Sequence, residues 1–240
     1  MSRIALLSDV HASLPALEAV LAAAGRVDAI WVMGDTAGYG PDPSDVLALL
    51  GERRALMVAG NHDLAVGTGQ GLEAFNEHAG RAARIHRGWL SPAERDALAS
   101  LPLTRETDGF TLCHGSLRDP VWEYVFTAQQ ARATIELAIT PHCCNGHTHV
   151  PAVYKTDEVR TVQVPFREDE PVRVEARMLV NPGSVGQPRD GDPRAAYAIL
   201  DTDEGTVVLA RAAYDVAETQ RRIRSRGLPG ILADRLAVGY

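Results

Sequence analysis

The sequence predicts an α/β fold from three observations. Up to Val150, short apolar runs of strand length alternate with segments of helical pattern, which is the rhythm of parallel βαβ units. Five of those runs end in polar side chains. Beyond Val150, β-branched and alternating segments take over, the signature of antiparallel sheet.

The first run, Arg3 to His11, reads as a buried strand that breaks at Asp9 and His11. A helix follows, with Ser13 in position to cap it, Pro15 in its first turn and Gly25 beyond its end. Asp28 to Asp35 is the next strand, Pro43 to Arg53 a short helix, and Ala55 to Asp63 a third strand. Gly71 to Leu103 reads mainly as helix, with a capped start at Ser91. The strand pattern resumes over Phe110 to Ser116 and Pro141 to His149, separated by a helix over Thr127 to Ile139. The antiparallel part includes Val159 to Pro165, Pro171 to Val180 and a hairpin-like stretch from Ala195 to Tyr214; a helix over Asp215 to Gly227 closes it. No repeat, low-complexity tract or linker divides the chain. The reading is one domain over residues 1–240, with a helical, cap-like segment at about 71–103.

A chain of 240 residues can bury a substantial core. Its formal net charge of −7 argues against broad, sequence-independent nucleic-acid binding, which needs Lys and Arg to neutralise phosphates. The single basic run, Gln220 to Gly227, follows a helical pattern and reads as a solvated helix face. Cys113, Cys143 and Cys144 form no disulfide framework, the usage of a reducing compartment. The opening has no signal-peptide pattern, and no apolar run is long enough to span a bilayer. The expectation is a cytoplasmic protein without a membrane partner. A homo-oligomer is compatible with the sequence, which carries no signal for it.

The polar groups that end the five runs are Asp9 with His11, Asp35, Asn61 with His62, His114, and His147 with His149. Binding sites in open α/β sheets gather outside the carboxyl ends of the strands, so parallel neighbours would bring all of these into one cleft. His147 and His149 stand two residues apart, a spacing at which a strand aims both side chains to one side. Two Asp, one Asn and up to five His make the oxygen-and-nitrogen donor set that borderline divalent metals prefer. The absence of Cys from it argues against a structural zinc site. The constellation predicts a dinuclear metal centre. His78, His86 and His142 lie outside it and read as ordinary residues.

In order and spacing, DVH (Asp9 to His11), GDTAGYGP (Gly34 to Pro41), GNHD (Gly60 to Asp63), CHGS (Cys113 to Ser116) and GHTH (Gly146 to His149) resemble the motifs of the calcineurin-like metallophosphoesterases. NPGSVGQPRD (Asn181 to Asp190) is similar to a stretch of their small prokaryotic branch. The resemblance implies a four-layer α/β/β/α sandwich, two mixed sheets face to face with helices outside. It implies two divalent ions per chain, Mn first, with Fe, Zn or Co suiting the same donors. By position it assigns Asp9, His11 and His149 to one ion, Asn61, His114 and His147 to the other, and Asp35 to the bridge between them. His62 is then not a ligand but a catalytic side chain beside the substrate.

Two ions about 3.5–4 Å apart clamp the attacking and leaving oxygens of an in-line displacement at phosphorus and lower the pKa of bound water. An imidazole that protonates the leaving oxygen adds roughly 10²–10⁴-fold; His62 is assigned that role, or electrostatic stabilisation of the transition state. Asp63 is placed either to cap the following helix or to orient a neighbour. The NPGSVG stretch reads as a tight turn whose glycines allow close backbone approach to the site.

Protein Ser/Thr phosphatases and dinucleoside-tetraphosphate hydrolases of this family carry an Asp-Arg pair in the second motif and an Arg after GNHE. Here Gly38 and Tyr39 stand at the first place, and GNHDLA has no Arg. Bidentate recognition of a phosphate dianion is therefore not supplied there, and the histidine's carboxylate partner is missing as well. A diester carries one charge less and needs less clamping, so the sequence favours a phosphodiesterase acting on a small substrate such as a nucleotide. Arg118 and Arg189 are the substitute phosphate contacts. Trp122 and Tyr124 either stack on a nucleobase or belong to the core or a subunit contact. Specificity is assigned to Gly71–Leu103 and Leu117–Phe126. The alternatives are a broad phosphomonoesterase or nucleotide pyrophosphatase, and a scaffold that binds metal without turnover.

Overall fold

The layering follows from alternation along the first strand. In the computed structural model, which describes residues 2–240, Ala5 and Leu7 of β1 (Arg3–Leu7) join one apolar cluster, while Ile4 and Leu6 join another. That is the two-residue period of a pleated strand buried on both faces. The remaining strands are β2 (Ala29–Val32), β3 (Leu56–Met57), β4 (Thr104–Thr107), β5 (Phe110–Cys113), β6 (His142–Cys144), β7 (Ala152–Thr156), β8 (Thr161–Val164), β9 (Pro171–Arg173), β10 (Arg177–Asn181), β11 (Ala195–Asp201) and β12 (Thr206–Ala212). Among the described residues they form two six-stranded sheets, in the orders β3-β2-β1-β11-β12-β9 and β4-β5-β6-β10-β7-β8.

Both sheets are mixed. β1, β2 and β3 run parallel, and β1 also pairs antiparallel with β11. In the second sheet β5, β6 and β10 are parallel, while β4 and β7 flank them antiparallel. The antiparallel pairing expected beyond Val150 is present between β7 and β8, β7 and β10, β11 and β12, and β12 and β9. Those strands build no sheet of their own; β11, β12 and β9 extend the first sheet and β10, β7 and β8 extend the second. Alternation reports that a strand has two unlike faces, not which neighbour it pairs with.

Among the described residues eight α-helices flank the sheets: α1 (Leu14–Ala24), α2 (Pro43–Glu52), α3 (Asn61–Thr68), α4 (Glu77–Trp89), α5 (Pro92–Ala99), α6 (Ala128–Leu137), α7 (Val216–Ser225) and α8 (Gly230–Asp234). Leu17 and Val20 of α1 and Val46 and Leu50 of α2 cover the outer face of the first sheet, against Ala5, Leu7 and Tyr197. Ala131 and Ile135 of α6 cover the second, against Cys143, Tyr154 and Leu179. Between the sheets, Ile4, Leu6, Trp31 and Met33 meet Leu112, Cys144, Met178 and Val180. The four-layer sandwich is the observed architecture. The adjacent cysteines thus face opposite layers, and burial pushes the Cys143 thiol up to about 12 and the Cys144 thiol well above its ordinary value, which leaves them unreactive.

The capped start at Ser91 is present, with Glu94 closing a capping box. Ser13 occupies the N-cap position of α1, but its hydroxyl makes no capping bond. The basic run of α7 is not simply solvated. Arg222 reaches the buried Asp42 at 2.7 Å, Arg224 pairs with Asp234, and Arg226 lies over the Trp89 ring at 4.4 Å. Through such contacts α7 and α8 hold α4 over the carboxyl ends of the first sheet, where Ala79 and Ala82 pack with Tyr39, Ile223 and Leu232. No described helix is long and apolar enough to cross a membrane.

Candidate metal centre

The loops that leave β1, β2, β5 and β6 are tied to one another by their backbones. Asp9 and His11 donate to the carbonyls of Gly34 and Asp35 at 3.0 and 2.8 Å, and Gly146 donates to His114 at 2.9 Å. The Asn181–Asp190 stretch closes the other side, where Val185 and Gly186 donate to Ser8 and Asp9 at 3.0 and 2.9 Å. A Cβ at Gly186 would collide with the Val10 carbonyl, so the close backbone approach predicted for this turn is real.

The seven residues assigned to metal all converge here, and five of them, Asp9, His11, Asp35, His147 and His149, have φ between 47° and 68°. Left-handed backbone costs a non-glycine residue of order 1–3 kcal/mol, held here by the surrounding hydrogen bonds. This corrects the strand argument for His147 and His149. β6 ends at Cys144, and both histidines sit in the loop beyond it in left-handed conformation. They turn toward different clusters: His149 joins Asp9 and His11, and His147 joins Asp35 and His114.

Hydrogen bonding fixes which nitrogens are free. His11, His149 and His114 each donate through Nδ1 to a backbone carbonyl, those of Ala37, Gln187 and Met33, at 3.0, 2.6 and 2.7 Å. His147 donates through Nε2 to the Trp122 carbonyl at 3.2 Å. In the neutral rings the opposite nitrogens are therefore bare lone pairs. Yet Nε2 of His11 faces Nε2 of His149 at 3.1 Å, next to an Asp9 Oδ1 that has no hydrogen-bond partner. Nε2 of His114 faces Nδ1 of His147 at 2.9 Å, Asn61 Oδ1 at 3.1 Å and Asp35 Oδ2 at 3.3 Å. Acceptors crowded against acceptors in a buried site call for cations, so these residues fit two divalent ions. Without them a proton substitutes. Burial opposes a charge on His114, but the Asp35 carboxylate outweighs it and lifts the imidazole to about 9. Burial likewise opposes ionisation of Asp9 and Asp35, and the surrounding imidazoles override it, holding both well below the usual carboxylate range.

The profile of the calcineurin-like phosphoesterase superfamily domain matches residues 2–205. The chain belongs to that family. An uncharacterized protein of Methanocaldococcus jannaschii is 31% identical over 99% of this chain and 98% of its own. The phosphodiesterase YfcE of Escherichia coli K12 is 26% identical, covering 87% of this chain and 92% of its own. Among solved structures, a metallophosphoesterase from Sphaerobacter thermophilus superposes with a TM-score of 0.90 at 40% identity, over 100% of this chain and 99% of that one. These relatives support the small prokaryotic branch of a divalent-metal-dependent family.

In this metallophosphoesterase His62 is 2% exposed and lines the cleft above the donors. Its Nδ1 is buried with no partner, and a Cβ at Gly38 would collide with that edge of the ring. Its rings of contact are aromatic: Tyr39 and Phe75, both with centroids 4.5 Å away. These two rings and that of His11, 4.9 Å away, pack around His62 where the motif comparison had found no carboxylate partner. Burial, only partly opposed by Asp35, lowers His62 to about 4. Asp63 fulfils both of its readings. It accepts from Gly60 N at the start of α3 and from Thr36 Oγ1 and Ala37 N of the Asp35 loop, at 3.1, 2.6 and 2.9 Å.

Trp122, Tyr124 and Arg189 line the same cleft; Arg118 does not. Arg118 is paired with Glu123 and 48% exposed. Tyr124 lies flat on His147, centroids 3.9 Å apart and 11° from parallel.

His86, read as ordinary, is fully buried and structural to the site. Its Nδ1 accepts from Gly38 N at 3.1 Å and its Nε2 donates to Gly40 O at 2.8 Å, pinning the Asp35–Gly40 loop to α4. Its place on the buried face of α4 with Ala79, Ala82 and Ala83 was the available signal. His86→Phe leaves a buried donor and acceptor unsatisfied and is expected to destabilise the fold by roughly 2–4 kcal/mol in urea at pH 7. Burial lowers His86 from 6.5 to about 4, so its contribution is full above 6.5 and is lost as pH falls toward 4. The gap between wild type and variant should therefore narrow from pH 7 to pH 5; a gap independent of pH would refute the assignment.

Proposed function

We propose that this chain is a dinuclear-metal phosphodiesterase acting on a small diester such as a nucleotide. Asp9, His11 and His149 would hold one ion, Asn61, His114 and His147 the other, with Asp35 between them; Mn²⁺ leads among the ions this donor set accepts. When bound, such ions lower the pKa of a water molecule and neutralise charge building on the phosphoryl oxygens. His62, neutral at pH 7 and walled in by Tyr39 and Phe75, offers a fixed N–H donor to an oxygen of the substrate. Tyr124, stacked on His147, keeps water off that face.

The preference for a diester is carried by the shape of the cleft, which continues on two sides. Past Asn61 and Trp122 it meets a depression of about 340 Å³ lined by Leu64, Leu103 and Val121. Past Tyr124 and Arg189 it meets another of about 290 Å³ beside Phe126. Two extensions suit the two arms of a diester, whereas a monoester has one. The similarity to YfcE, a phosphodiesterase, supports the same reading. Arg189 in the cleft wall favours the runner-up, a monoesterase, since a guanidinium suits a dianion. Hydrolysis of bis(p-nitrophenyl) phosphate and p-nitrophenyl phosphate by the Mn²⁺-loaded protein separates the two. A higher kcat/KM for the diester is expected, and a higher value for the monoester would overturn the preference. Silence on both with two ions bound would move the reading to a scaffold.

A further inference from the structure

Resting on the diesterase reading, we infer that one arm of the substrate is a nucleotide bearing a second phosphate, held by Arg189 and Arg235 beside a platform of Tyr124 and Phe126. The cleft over the donors holds only about 150 Å³, below the roughly 300–1,000 Å³ of ordinary small-molecule sites. It accommodates the reacting phosphoryl group, and the rest of the substrate must lie beyond it. The depression of about 290 Å³ shares Tyr124 and Arg189 with the cleft and adds Phe126 and Arg235.

Neither guanidinium is held by an acidic side chain. Arg189 has a buried Nε with no partner, and its Nη2 reaches only Gln187 Oε1 at 3.2 Å and Tyr39 Oη at 3.4 Å. Arg235 donates to the Tyr240 main-chain oxygen at 2.7 Å. Neither pairs with an Asp or Glu side chain among the described residues, whereas Arg118, Arg194, Arg211, Arg222 and Arg224 all do. Two partly desolvated cations lining one depression repel; an anion between them relieves that cost. Arg235 is also lowered by burial and by the nearby Arg189.

The second component is flat and apolar. Tyr124 and Phe126 lie 18° from parallel with centroids 5.6 Å apart, 42% and 56% exposed. Exposed aromatic faces of this kind stack on nucleobases. Because Tyr124 also stacks on His147, the platform has a fixed position relative to the metal centre. The opposite depression contains Asp119 and no Lys or Arg, so an anionic arm is steered to the arginine side.

The test compares two p-nitrophenyl esters of thymidine 5′-phosphate, one with a free 3′-hydroxyl and one with a 3′-phosphate, on the Mn²⁺-loaded protein. The 3′-phosphorylated ester should have a kcat/KM at least about tenfold higher, the worth of one or two charge-assisted hydrogen bonds. Arg189→Gln and Arg235→Gln should each bring that ratio toward one, and Arg118→Gln, outside the cleft, should leave it. Calorimetry with thymidine 3′,5′-bisphosphate against thymidine 5′-phosphate should give a matching preference without turnover. A ratio near one in the wild type, with bis(p-nitrophenyl) phosphate still hydrolysed, overturns the subsite and leaves the diesterase standing. Failure to cleave any diester with two ions bound removes the diesterase reading and the inference together.

Discussion

Asp35→Asn is expected to abolish measurable hydrolysis and to reduce the metal retained after gel filtration, with the circular dichroism spectrum unchanged. Asp35 Oδ2 lies 3.3 Å from His114 Nε2 and 3.7 Å from His11 Nε2, so one carboxylate faces both donor groups, while Oδ1 accepts from His62 N at 2.9 Å. An amide keeps the shape but loses the charge, and it turns a donor toward a site built of acceptors. The loss should exceed the roughly 10–100-fold cost of removing an outer-shell partner. Metal analysis together with the rate decides it: full activity with two ions retained would sink the bridging role.

His62→Gln is expected to lower kcat by about 10²–10³-fold and to leave both ions bound. The measurement matters because His11, Asp35 and His62 themselves come close enough to share an ion. Loss of one metal equivalent would make His62 a ligand; a rate defect at full metal content makes it a substrate-facing donor. With His62 already lowered to about 4 in the metal-free protein, added cations push it lower still. Its protonation should therefore leave no limb in the kcat profile between pH 6 and 8.

The donor set was legible because each member follows a short apolar run and parallel strands present their carboxyl ends together. Asp9, Asp35 and His114 needed nothing more. What supports those residues was not legible. Tyr39 and Phe75 meet His62 from the second motif loop and from the segment before α4, and His86 reaches Gly38 and Gly40 from within α4; such contacts are set by helix packing and leave no local spacing. The backbone of His147 and His149 misled for a related reason. An interval of two residues is the same in a strand and in a left-handed loop, and only hydrogen bonding from neighbouring loops selects the loop. Which sheet each strand beyond Val150 joins was not legible either, since pairing partners such as β1 and β11 lie far apart in the chain.

The donors proposed for each ion are divided between the sheets. Asp9 and His11 leave the first sheet and His149 the second; Asn61 leaves the first, His114 and His147 the second. On that reading neither half-site exists until the sheets have docked, which brings Ile4 and Leu6 of β1 against Met178 and Val180 of β10 across most of the chain, a slow long-range contact. Metal capture is then among the last events of folding. An ion gained after the transition state cannot hasten folding, but it slows escape from the folded state. A loaded centre would thus also act as a clasp between the two sheets, and such a chain should owe its lifetime more to slow unfolding than to equilibrium stability.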